Sequence, residues 1–247
     1  MRKLPLVAAV VVASGVLAAP AAANHSWNGY HWARTANPFT VRLGDNVDAS
    51  WDAYLRQASA DWSKNTAGSP LRTTVVAGAT RPKQCRATLG RVEVCNAAYG
   101  QRGWLGLATI SINAQGHITQ GTAQMNDTYY ATPTYNTPTW RAVVMCQEVG
   151  HTFGLDHQDE SGADLHTCMD YASSPDADNT HPNYHDYEEL ALIYGHLDST
   201  NTVGLSAQAG AQPYRTDRRD GRRTSKIVER FSDGSERLTF IFWAPAG

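Results

Sequence analysis

Between Cys146 and His157 the chain reads Cys-Gln-Glu-Val-Gly-His-Thr-Phe-Gly-Leu-Asp-His, gathering two imidazoles, a carboxylate and an amide into one short stretch. On a helix, residues four apart share a face, so Gln147 and His151 point together. Glu148 lies about 100° round the same turn, within reach of a water held by that pair. Gly154 can take the left-handed conformation that ends a helix and reverses the chain, which brings His157 beneath the other two. Such a set describes a metal ion with an acid–base group beside it.

The spacing resembles the zinc signature of the metzincin metallopeptidases, H-E-x-x-H-x-x-G-x-x-H followed by a methionine turn, and Cys168-Met169-Asp170-Tyr171 resembles that turn. One position departs from the family, because Gln147 stands where the first histidine is expected. The resemblance implies one Zn2+ per chain on Gln147, His151 and His157, with Glu148 as general base. It also implies Tyr171 near the transition state, Met169 as an apolar floor under the metal and Gly154 at the turn. An amide oxygen binds zinc more weakly than imidazole. Three arrangements therefore stand open: ligation through the Gln147 oxygen, a water in its place, or a site without metal. The implied activity is hydrolysis of peptide bonds in an extracellular protein or peptide by metal-activated water. The alternative is a secreted pseudopeptidase that binds peptides or proteins without cutting them. In the family an edge strand ahead of the zinc helix pairs with substrate. By resemblance that strand is 104–112, with Trp104, Gly106 and Leu107 as contacts, although an ordinary internal strand fits the sequence equally well.

The ends of the chain bound the setting. Arg2 and Lys3, an apolar run from Leu4 to Pro20 and Ala21-Ala22-Ala23 fit a cleaved export signal over residues 1–23. Removing 23 of the 247 residues leaves 224, and the loss of Arg2 and Lys3 takes the formal charge from −2 to −4. No nucleic-acid partner and no membrane anchor are expected from that chain, which reads as a secreted monomer. Its four cysteines lie where disulfides are permitted, and of three possible pairings the preferred one is Cys85–Cys95 with Cys146–Cys168. The second bridge would staple the metal helix to the methionine turn. Asp159, Asp164, Asp176 and Asp178 would suit a structural Ca2+, though acids in such a loop are ordinarily solvated.

The elements that must position these residues follow from pattern. Residues 25–38 read as an irregular aromatic arm covering the surface. A strand is expected at 39–43 with Gly44-Asp45-Asn46 as its turn, then a helix whose buried face is Trp51, Tyr54, Leu55, Ala58 and Trp62, then a strand at 71–76. A hairpin follows from 104–113 and 117–126. Thr137 and Pro138 open the metal helix, and a last helix is expected over 185–197 with Tyr187, Leu190, Ala191 and Tyr194 inside. The whole resembles an α+β metzincin-like catalytic domain over 24–205, with a twisted mixed sheet packed on helices. A charged linker is expected at 206–226 and a C-terminal β-hairpin at 227–247, turning at Ser232-Asp233-Gly234-Ser235 and docked on the domain or on a partner.

Overall fold

Alternation of buried Phe39, Val41 and Leu43 with exposed Thr40 and Arg42 makes one strand, and a helix carrying Trp51, Leu55, Ala58 and Trp62 closes over the same core. The computed structural model describes residues 25–171, 174–206, 213–217 and 225–245. The expected export signal at 1–23 lies outside them. In chain order the elements are β1 (His31–Trp32), β2 (Phe39–Asn46), α1 (Asp52–Trp62), β3 (Leu71–Ala77), β4 (Val92–Ala97), β5 (Trp104–Ile112) and β6 (His117–Asn126). They continue with α2 (Asp127–Tyr130), α3 (Pro138–His151), α4 (Tyr184–Ile193), β7 (Pro213–Asp217), β8 (Lys226–Phe231) and β9 (Glu236–Trp243).

One mixed sheet runs β3-β2-β4-β6-β5-β9-β8-β7, with β1 also paired to β6, and the fold is α+β. Pairing among β1, β2, β3, β4 and β6 is parallel, whereas β5, β9, β8 and β7 extend the sheet antiparallel from β6. α1 and α3 pack together, with the Trp62 indole N–H donating to the Cys146 carbonyl at 3.0 Å. Among the described residues no helix is long and apolar enough to cross a membrane.

Several expectations change. Gly44-Asp45-Asn46 is not a turn, because β2 runs on through these residues beside β4. β4 itself was not anticipated. Its first five residues are all buried, including Glu93 and Asn96, so burial shows no period of two there. The arm at 25–38 is not a surface cover, since Trp32 and Arg34 are essentially fully buried and β1 joins the sheet. α4 stops at Ile193, leaving Tyr194 as its cap and Leu197 exposed, and Ala191 is only half-buried. Part of the expected linker at 206–226 is β7, a strand beside β8.

The largest change concerns β5. It is not an edge, because β6 pairs with one side and β9 with the other, in the register Trp104↔Trp243, Gly106↔Phe242, Leu107↔Ile241 and Ala108↔Phe240. The C-terminal hairpin of β8 and β9 thus lies where an extended substrate was expected.

Candidate metal centre

The helix that carries the chemistry is well begun and sharply ended. The Thr137 side chain accepts from the Trp140 N–H at 3.2 Å and Pro138 occupies the first turn. After His151 the chain turns at Gly154, whose φ is +96°, and a Cβ there would stand 2.0 Å from the Tyr30 carbonyl oxygen. Only glycine satisfies both demands. Past that turn the ring of His157 comes back to His151.

His151 and His157 meet with their Nε2 atoms 3.2 Å apart, both rings buried. The other nitrogen of each ring faces an atom that only accepts. His151 Nδ1 lies 2.9 Å from the Leu155 carbonyl oxygen, and His157 Nδ1 lies 2.8 Å from Glu160 Oε1. Each ring therefore carries its proton on Nδ1 and turns an Nε2 lone pair inward. Two lone pairs at that distance repel unless a cation sits between them. Burial, and then the neighbouring His157, push the His151 pKa well below its ordinary value, so a shared proton is disfavoured. Two nitrogens each bound at ~2.0–2.1 Å to a tetrahedral ion stand about 3.3 Å apart, which the pair matches.

Gln147 and Glu148 add acceptors. The Gln147 amide nitrogen donates to the carbonyls of Cys168 and Asp170, each at 2.7 Å, and so clamps the chain on both sides of Met169. Its oxygen remains buried with no hydrogen-bond partner, as do both oxygens of Glu148. Such orphaned acceptors cost free energy unless something positive meets them. The Glu148 carboxylate lies against β5, where a Cβ on Gly106 would come within 2.5 Å of Oε1, and burial raises its pKa well above the usual carboxylate range. Two histidine nitrogens at this separation suit a zinc-class ion, with the Gln147 oxygen on the same helix face as a further donor type.

Met169 is fully buried with its sulfur against α3 at Gly150. The bridges Cys85–Cys95 and Cys146–Cys168 are both formed, and the second ties α3 to the turn before Met169. Closing a loop of that size contributes about 2–4 kcal/mol. Asp159 and Asp164 spend oxygens on loop hydrogen bonds, from Ser161, Gly162 and Ala163 to the first and from His166 and Asn179 to the second.

The C-terminal strand roofs this centre. Phe240 stacks flat on His151, with centroids 4.0 Å apart and planes 2° from parallel. Phe242 stacks on Tyr171 at 5.5 Å, and the Tyr171 hydroxyl accepts from the Trp243 N–H at 3.0 Å. Lys226, at the start of β8, reaches Asp156 at 2.7 Å and Glu160 at 3.0 Å, which holds the hairpin to the His157 loop. A hairpin docked on the domain or on a partner was expected, but not that it would lie over this centre. The signal was there in Leu238, Phe240 and Phe242, an apolar strand face that must be buried against something.

No protein-family model matches the chain, and no curated protein does. Among solved structures that match is that of myroilysin, at a TM-score of 0.38 and 12% identity, covering 66% of this chain and 96% of that one. So loose an overlap says nothing about chemistry.

Proposed function

We propose that the chain is an exported zinc endopeptidase of metzincin type, held latent by its own C-terminal strand. The observation that carries this reading is the pair of inward imidazole lone pairs 3.2 Å apart, at the end of a helix that also carries three buried acceptor atoms without donors on Gln147 and Glu148. His151, His157 and the Gln147 oxygen would hold the ion. When bound, zinc supplies a Lewis acid that polarises a carbonyl and acidifies a water.

The chain's residues supply the rest. Glu148, its basicity raised by burial, takes the proton of the attacking water and returns it to the leaving amine. Glu160 fixes the His157 ring by accepting its Nδ1–H, as partners of ligating histidines do. The Tyr171 hydroxyl, which accepts from the Trp243 N–H, would turn to stabilise the developing oxyanion once β9 has left. β9 lies antiparallel along β5, as an extended peptide adds to a sheet edge. Substrate therefore binds only after β9 leaves. The second reading, a secreted protein that binds peptides without cutting them, gains from the same burial of the imidazoles, yet the edge it would use is the one β9 fills.

Zinc-supplied protein with the hairpin opened should cleave an unfolded protein such as casein, and Glu148→Ala should keep its zinc and lose cleavage. Zinc bound with no cleavage in any variant supports the second reading. Cleavage by Glu148→Ala at the parent rate refutes the proposed base.

A further inference from the structure

A second cluster of imidazoles lies apart from the first, built from three distant parts of the chain. His31 comes from β1, His117 opens β6, and His196 and Asp198 follow α4. One carboxylate oxygen gathers all three rings. Asp198 Oδ1 lies 3.3 Å from His31 Nε2, 3.3 Å from His117 Nε2 and 3.6 Å from His196 Nε2. The Nε2 atoms of His31 and His196 are themselves 3.2 Å apart. The other carboxylate oxygen is taken by Arg34, whose backbone N–H and Nη1 reach Oδ2 at 3.0 and 3.1 Å. Oδ1 is thereby left turned toward the rings. The His31, His117 and Asp198 side chains are only 10%, 17% and 7% exposed.

Proton placement makes this more than an ion pair with satellites. His31 Nδ1 lies 2.7 Å from the Gly29 carbonyl oxygen, so in the neutral ring Nδ1 carries the proton and Nε2 a lone pair. That lone pair faces a carboxylate oxygen and another ring nitrogen. Acceptor meets acceptor unless a cation stands among them. Ligands at ~2.0–2.1 Å from a tetrahedral ion lie about 3.3 Å from one another, and His31 Nε2, His196 Nε2 and Asp198 Oδ1 stand 3.2, 3.3 and 3.6 Å apart. These three converge as a set that can hold a metal ion, while His117 pairs with the carboxylate from outside that set. Two nitrogens and one oxygen favour a zinc-class ion over calcium or magnesium, which take oxygen ligands. Three protein donors leave a fourth position for water.

We propose that His31, His196 and Asp198 form a second divalent-metal site, with a fourth position for water, that staples the N-terminal arm to the segment after α4. Binding only the folded chain, the ion stabilises it by mass action. The site shares no residue with the first centre.

Untagged full-length His151→Ala, which removes one ligand of the first centre, is stripped with chelator and titrated with Co2+, then with Zn2+. One equivalent should bind here, with the visible absorption of tetrahedral cobalt, and zinc should raise the thermal midpoint. Adding His196→Ala should abolish the absorption and the zinc-dependent rise, while the midpoint of the stripped protein stays where it was. His196 is 55% exposed, so its loss leaves the fold in place. Two results overturn the proposal: no tetrahedral cobalt signal in His151→Ala, or an equal signal and an equal zinc-dependent rise once His196 is also gone.

Discussion

Replacing Thr239 with proline tests whether β9 is the barrier to activity. Thr239 lies mid-strand, opposite Thr109 of β5 and Ile227 of β8, and its hydroxyl meets that of Thr109 at 3.1 Å. It is half-buried and is not one of the groups that meet at the proposed centre, so the change opens no core cavity and leaves Glu148, His151, His157 and Tyr171 intact. A proline inside a strand paired on both sides removes a ladder hydrogen bond, leaves its buried acceptor unpaired and adds a clash, at about 3 kcal/mol. With about 1.4 kcal/mol per factor of ten, the docked-to-open ratio falls by roughly 150-fold. If catalysis needs the open form, the initial rate on a quenched fluorogenic peptide in zinc buffer should rise by on the order of 100-fold. Amide exchange across 236–243 should quicken in parallel. Faster exchange with no gain in cleavage would refute the latch, because the strand would then have moved without exposing a working site.

Gln147→Glu replaces an amide that donates twice with an acid that faces the carbonyls of Cys168 and Asp170 at 2.7 Å. Leaving those buried carbonyls unpaired costs about 2–6 kcal/mol, and at ~2–4 °C per kcal/mol the metal-free thermal midpoint should drop by roughly 10 °C. An unchanged midpoint would show that the clamp contributes nothing. Burial lifts the Asp186 carboxyl from 3.8 to about 7, so the folded chain keeps a proton there that the unfolded chain releases. That contribution is whole below pH 3.8 and is lost as pH rises through about 7, so the wild-type midpoint should fall over that window relative to Asp186→Asn. Parallel curves for the two proteins would contradict it.

Local chemistry was legible where a few neighbouring residues settle the geometry. Thr137 and Pro138 announce α3, and the spacing from Gln147 to His157 brings two rings together once Gly154 turns the chain. Distant pairings were not legible. β5 alternates as a half-buried strand does, and nothing within it says that a strand more than a hundred residues later completes its other side. β4 hid for a different reason: buried on both faces, it carries Glu93 and Asn96 among its apolar residues and so makes no clean apolar run. The Gln147 clamp could not be read either, since an amide in a ligand position looks the same whether its oxygen or its nitrogen is in use. His31, His117, His196 and Asp198 sit in three separate segments with no motif to join them.

The account depends first on a cation between His151 and His157. Crystals grown with zinc, measured on both sides of the zinc absorption edge, address that directly. The account predicts an anomalous peak within bonding distance of both Nε2 atoms, with the Gln147 oxygen turned toward it. Strong data with no peak between those rings, their nitrogens still in contact, would contradict it.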